Sequence, residues 1–270
     1  MDAHTFEMRG ARGTLAVRDW SDADPRYVVL IAHGLGEHAG RYGHVAERLV
    51  ADGAEVYAPD HYGHGRSDGE RAVVDDLATM ADDLHLVYER ASAEHPRLPT
   101  VLIGHSMGAV IAARYAQLHT RELAALVLSG PPLGGNPAFE ALLEMDPFPE
   151  IPIDPAVLSR DPAVGQAYAE DPLVYHGALT LATLQGIFAG VQAVAAGGTL
   201  GELPTLWIHG EEDALAPLEQ ARAAIEHLRG ERFEGKVYPQ ARHEIFNETN
   251  NDEVIDDVLG FVRRSLQLLV

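Results

Sequence analysis

The 270-residue chain sets 41 acidic side chains against 20 lysines and arginines, a formal charge of −21, so a phosphate backbone would be repelled and nucleic acid is excluded as a partner. It has no cysteine, which removes disulfides, zinc–thiolate centres and cysteine nucleophiles, and it has no apolar run of about 18 residues to span a bilayer. At 46% hydrophobic residues it can bury the core of one large α/β domain, with or without an insertion.

The N-terminal stretch MDAHTFEMRGARG has no apolar h-region. No signal peptide is therefore expected, and a cytoplasmic location is, with peripheral contact to a membrane left open. Lys236 is the only lysine; a genome-wide composition bias is the preferred explanation over salt adaptation.

The first expected strands are 14–18 and 27–32, short, apolar and bounded by turn residues, as buried parallel strands are. The loop HGLGEHAG after the second resembles a dinucleotide-binding turn, but its spacing is G-x-G-x-x-x-G. No acid follows a second strand at the required place, so a dinucleotide-binding turn is not expected. A third strand, 55–58, runs into DHYGHGRS. Asp60, His61 and His64 have ligand chemistry but no supporting cluster. A glycine-shaped turn held by Asp60, without metal, is the expectation.

The spacing then predicts a helix over 75–92, with Leu77, Met80, Ala81, Leu84, Val87 and Tyr88 on one stripe. Asp75 or Asp76 is the candidate cap. A strand over 100–103 is followed by GHSMG and by a helix over 107–119 carrying Val110, Ile111, Tyr115 and Leu118. Gly104-His-Ser-Met-Gly108 fits G-x-S-x-G. A sharp strand-to-helix turn crowds the backbone, and small residues two before and two after the serine relieve it. Ser106 is then presented at a helix N-terminus, where negative charge is favoured.

After a strand over 124–128, no strand pattern exists from 131 to about 198. Prolines and glycines crowd 131–155, and Leu181, Leu184, Ile187, Phe188, Val191 and Val194 form a helical stripe. We read 132–198 as a helical cap inserted into a core formed by 1–131 and 199–270. The stripe serves either as lining of an apolar tunnel or as packing against the sheet. Strand 205–209 ends in glycine and is followed by Glu211, Glu212 and Asp213. A serine needs a base, and in sites of this kind an acid and then a histidine follow in chain order. Asp213 is preferred as the acid, the two glutamates being placed to solvate the loop. A helix over 217–228 begins at a proline. The last strand, 236–238, precedes His243, the only histidine beyond it, and Asn251 could cap a final helix, 252–268. In the reading that results, His243 takes the proton of Ser106 while Asp213 orients the ring. The N–H groups of Met107 and Leu35 are the candidate oxyanion donors. The alternation of strands and helices predicts a parallel sheet with helices on both faces.

HGLGEHAGRY (33–42), DHYGHGRSDGER (60–71), GHSMG (104–108), SRDP (159–162), DPLVYHG (171–177), HGEEDALAP (209–217) and ARHEIFNE (241–248) together resemble monoacylglycerol lipases, most closely the actinobacterial ones, a serine-hydrolase branch of the α/β-hydrolase superfamily. The resemblance covers nearly all of the chain outside about 133–153. It implies an α/β-hydrolase fold with a mostly parallel eight-stranded sheet and a mobile cap. It also implies cofactor-free cleavage of monoacylglycerols to glycerol and fatty acid through an acyl-serine. It carries the triad onto Ser106, Asp213 and His243, and the oxyanion donors onto Leu35 and Met107. Glu37, Arg41, Tyr42 and His105 match positions near the family's glycerol end; Leu181, Leu184 and Phe188 would line the acyl tunnel, and the cap would touch lipid interfaces. Two departures stand out: Ala109 replaces the usual glycine after GHSMG, and the stretch 133–153 is shorter and proline-rich. A broad carboxylesterase or lysophospholipase with the same triad is the alternative activity, and a catalytically silent ligand-binding hydrolase fold is the alternative of another class. The sequence leaves monomer and dimer open.

Overall fold

The computed structural model describes residues 3–21, 24–149, 152 and 154–267. Eight strands form one sheet: β1 (His4–Arg9), β2 (Thr14–Trp20), β3 (Tyr27–Ala32), β4 (Ala54–Pro59), β5 (Thr100–His105), β6 (Ala125–Ser129), β7 (Thr205–Gly210) and β8 (Phe233–Tyr238). Their order is β1-β2-β4-β3-β5-β6-β7-β8. β2 pairs antiparallel with β1 and β4, and every other pairing is parallel.

The central strands are buried on both faces, and successive side chains divide between two cores because a strand alternates faces. Val28 and Leu30 pack with α2 (Leu77–Glu94), α3 (Met107–Leu118) and α7 (Leu218–Leu228). Val29 and Ile31 pack with α1 (Gly43–Ala51) and α8 (Asn251–Gln267).

Most expected elements lie within a few residues of their places. Asp76, not Asp75, caps α2, accepting the Ala78 N–H at 2.8 Å. Pro217 stands just outside α7, and Asn251 is the first residue of α8 rather than its cap; position 268 lies outside the described residues. Leu118 leaves its stripe: at the last residue of α3 it is exposed. β1 and α1 had no counterpart in the sequence reading. Between β6 and β7 no described residue is in a strand, and this stretch forms α4 (Pro137–Leu142), α5 (Pro162–Glu170) and α6 (Leu181–Ala196). α6 leans on α2 and α3. Thr183 fixes it there, donating to the Ala72 carbonyl at 2.9 Å and accepting the Val74 N–H at 3.2 Å.

The chain runs from β3 to β4 on one side, then crosses back to β5 on the other. The loops leaving the carboxyl ends of β3 and β5 therefore diverge at a topological switch point, where open α/β sheets bind ligands.

Candidate active site

Ser106 stands at that switch point. Its φ of 54° and ψ of −121° are strained for a non-glycine residue, and the turn persists because its neighbours leave no alternative room. A Cβ on Gly104 would strike the Gly108 carbonyl and the Cα of Ala109, and one on Gly108 would strike the carbonyl of Ala32. β5 supplies the strand before the serine, α3 the helix after it.

His243, in the loop after β8, places Nε2 at 2.8 Å from Ser106 Oγ. Its Nδ1 lies 2.8 Å from Asp213 Oδ2, in the loop after β7. The other oxygen of Asp213 accepts the N–H groups of Leu215 at 2.9 Å and Ala216 at 2.8 Å, so the carboxyl is aimed by its own loop. Neither Glu211 nor Glu212 has this role: Glu211 accepts the Gln240 N–H, and both are exposed. Burial opposes charge on His243, but Asp213 outweighs it and lifts the imidazole above its ordinary value. The same pairing overcomes burial at Asp213 and lowers its carboxyl.

Leu35 and Met107 both line the cleft with Ser106. The Met107 N–H is at the first position of α3, where no intrahelical acceptor exists. The loop carrying Leu35 is held from below by Asp60. Oδ1 of this fully buried carboxyl accepts from the Ala39 N–H and Arg18 at 2.8 and 2.7 Å, and Oδ2 accepts the Arg66 N–H at 2.8 Å. Asp60 thus ties the 33–40 loop to its own turn.

The cleft offers about 890 Å³ of empty space, part of it open to solvent. Glu37, His105 and Glu244 mark its polar end, and Phe139, Leu184, Ile187, Phe188, Val191 and Leu215 its apolar end. His105 is held neutral, pushed down to about 3 by burial and the neighbouring His243, and its Nδ1 lies 3.0 Å from Ser129 Oγ.

Three expected contact residues do not line the cleft. Leu181 is the first residue of α6, one turn short of it. Arg41 and Tyr42 sit behind Glu37: Tyr42 donates to Glu37 Oε1 at 2.6 Å and Arg41 to Oε2 at 2.7 Å. Arg41 also makes a two-pronged pair with Glu244 at 2.6 and 2.7 Å. Sequence reasoning missed Glu244, Phe139 and Leu215.

Among the described residues, Asp60, His61 and His64 form no group able to hold an ion. His85, His119 and Glu122 do bring ligand atoms within 4.8 Å of one another. Their two rings, however, are stacked at 4.2 Å with an 18° tilt, so the in-plane lone pairs do not meet at one point.

This topology and this elbow define an α/β hydrolase. Comparison with known proteins narrows the class. The family model described as serine aminopeptidase, S33, matches residues 23–250. A monoacylglycerol lipase of Mycolicibacterium smegmatis is 39% identical over 96% of each chain, and the human monoglyceride lipase is 31% identical over 83% of this chain and 77% of its own. The crystal structure of the Paleococcus ferrophilus monoacylglycerol lipase superposes with a TM-score of 0.80 at 27% identity, covering 93% of this chain and 99% of the other. The chain belongs to the monoacylglycerol lipase family of α/β hydrolases. Among the described residues no helix is long and apolar enough to cross a membrane.

Proposed function

We propose that the protein hydrolyses monoacylglycerols to glycerol and a free fatty acid through an acyl-serine. The observation that carries this reading is the unbroken relay Ser106–His243–Asp213, with both links at 2.8 Å, in a cleft whose lining combines Glu37, His105 and Glu244 with Leu184, Ile187 and Phe188. In the proposed sequence His243 Nε2 accepts the proton of Ser106 as Oγ attacks the ester carbonyl. The N–H groups of Leu35 and Met107 stabilise the oxyanion, each to the extent of about 3 kcal/mol. His243 then returns the proton to the departing glycerol oxygen. Water, deprotonated by the same imidazole, attacks the acyl carbonyl, and the imidazolium returns the proton to Ser106 Oγ as the fatty acid leaves. No cofactor enters.

In this reading glycerol occupies the end bounded by Glu37 and His105, and the acyl chain lies against Leu184 and Phe188. Residues 132–198 act as a cap, and its exposed Met145 provides transient contact with a lipid interface. Cleavage of peptides from a free amino end, which the description of the family model names, fits less well. An α-ammonium needs an uncommitted carboxyl, and the oxygens of both Glu37 and Glu244 are already engaged.

The test is hydrolysis of monoolein, triolein and lysophosphatidylcholine by pure protein. Monoolein should be preferred, and Ser106→Ala should lower kcat by on the order of 10⁵ or more and abolish labelling by a fluorophosphonate. Preference for the phospholipid would sink the substrate assignment; an alanine variant that keeps more than about a hundredth of the wild-type kcat would sink the mechanism.

A further inference from the structure

α6 carries an apolar face along its whole length. Leu184, Ile187 and Phe188 turn it towards the catalytic cleft. Val191 faces that cleft as well, and it also lines a second cavity, about 460 Å³ of empty space partly open to solvent, between the last turns of α6 and α7. From Val191 onward the same face continues into this second cavity through Val194 and Ala195, opposed by Ala224 and Leu228 of α7. The chain leaving β6 divides the two spaces in the same way, with Pro132 lining the first and Leu133 the second. Among the described residues, Val191 is the only side chain common to both linings.

We propose that the second cavity is the subsite for the distal methylenes of a long acyl chain, and that Val191 sets the chain length at which it is reached. This rests on the ester-hydrolase reading above and adds the limit of its substrate. The occupant is argued from continuity and chemistry. The cavity adjoins the apolar end of the cleft, both helices offer it aliphatic side chains, and the polar side chain among its lining residues, His227, lies at the solvent edge with Nδ1 2.8 Å from its own helix's Ala223 carbonyl. Ile187 and Val194 are two turns apart, roughly 10 Å along the helix, so the two spaces extend one path rather than duplicating it. Each methylene that gains burial in the subsite should raise kcat/KM about fourfold. Chains that end before Val191 gain nothing from it.

The experiment is a chain-length series from C8 to C18, run in parallel on 1-monoacylglycerols and p-nitrophenyl esters. Ala224→Phe, which fills the second cavity, should lower the C16:C8 ratio of kcat/KM tenfold or more, and Val191→Ala should raise that ratio. An unchanged ratio in folded Ala224→Phe, or an equal loss at every chain length, would overturn the proposal. Should that variant fail to fold, Ala195→Phe, at an exposed position across the same cavity, is judged by the same ratio. The two ester series separate this inference from the reading beneath it. If monoacylglycerols are refused while p-nitrophenyl esters still show the altered ratio, the glyceride assignment fails and the subsite stands.

Discussion

His243 sits under opposing pressures. Burial disfavours its charged form, while Asp213, 2.8 Å away, favours it and prevails, so the imidazole titrates above the usual 6.5. A base must be neutral to take a proton, so kcat/KM should rise with pH through an inflection above that value. Asp213→Asn removes the opposing charge. It should move the inflection down and lower kcat by about 10⁴. A pH–rate profile checks both, and an inflection that stays in place in the variant would break the proposed pairing. Ser106, Asp213 and His243 were legible because each follows the end of an apolar strand in a recognisable order. Glu244 was not. A lone acid beside a histidine has no local signature, and Arg41, which gives it a place, lies 203 residues away. Arg41 and Tyr42 were legible as neighbours of the site but not as its second layer, because the sequence does not show which side chain of a loop faces inward.

At the scale of elements, the turn between β5 and α3 depends on absent side chains. Gly108→Ala would press a methyl against the Ala32 carbonyl, and that backbone cannot retreat without moving β3. Stability should fall by about 1–3 kcal/mol or more, visible as a lower Tm together with weaker fluorophosphonate labelling; a wild-type Tm would refute the steric account. The elements found in the sequence are those with one strong period. β1 escaped because it is a polar edge strand whose residues are half or wholly exposed, leaving no apolar run to read. α1 did carry a signal, with Val45, Ala46, Leu49 and Val50 at helical spacing, but it is only nine residues long and no side-chain cap marks its start. β8 began three residues earlier than expected because its first residues, at the sheet's edge, are largely exposed. For α6, lining and packing prove compatible. Leu184 and Ile187 face the cleft, while Thr183 and Gly186 settle on the 72–75 segment.

For the molecule as a whole, the charge of −21 argues against nucleic acid as a partner but does not show where the acids lie. One of them is Glu55 on β4, only 3% exposed. Burial, with Asp19 and Glu94 nearby, pushes its carboxyl up to about 7 from 4.5. A raised folded-state value means that the folded chain holds a proton the unfolded chain has already released. Stability from this group is therefore greatest below about pH 4.5 and is lost as pH rises through 7. Glu55→Gln should flatten the fall in Tm between pH 5 and pH 7, and a variant whose Tm follows the wild-type curve would remove Glu55 from the account.

Two more acids converge on the polar end of the cleft, where, among the described residues, Arg41 is the one cationic side chain ion-paired with Glu37 and Glu244. One guanidinium against two carboxyls leaves a formal charge of −1 at the floor. A neutral ester is indifferent to that surplus. In the proposed reaction the product is an anion, created within the field of the surplus and of an acidic surface beyond it. Hydrolysis would thus convert a guest without charge into one the site repels, and electrostatic expulsion would hasten release of the fatty acid.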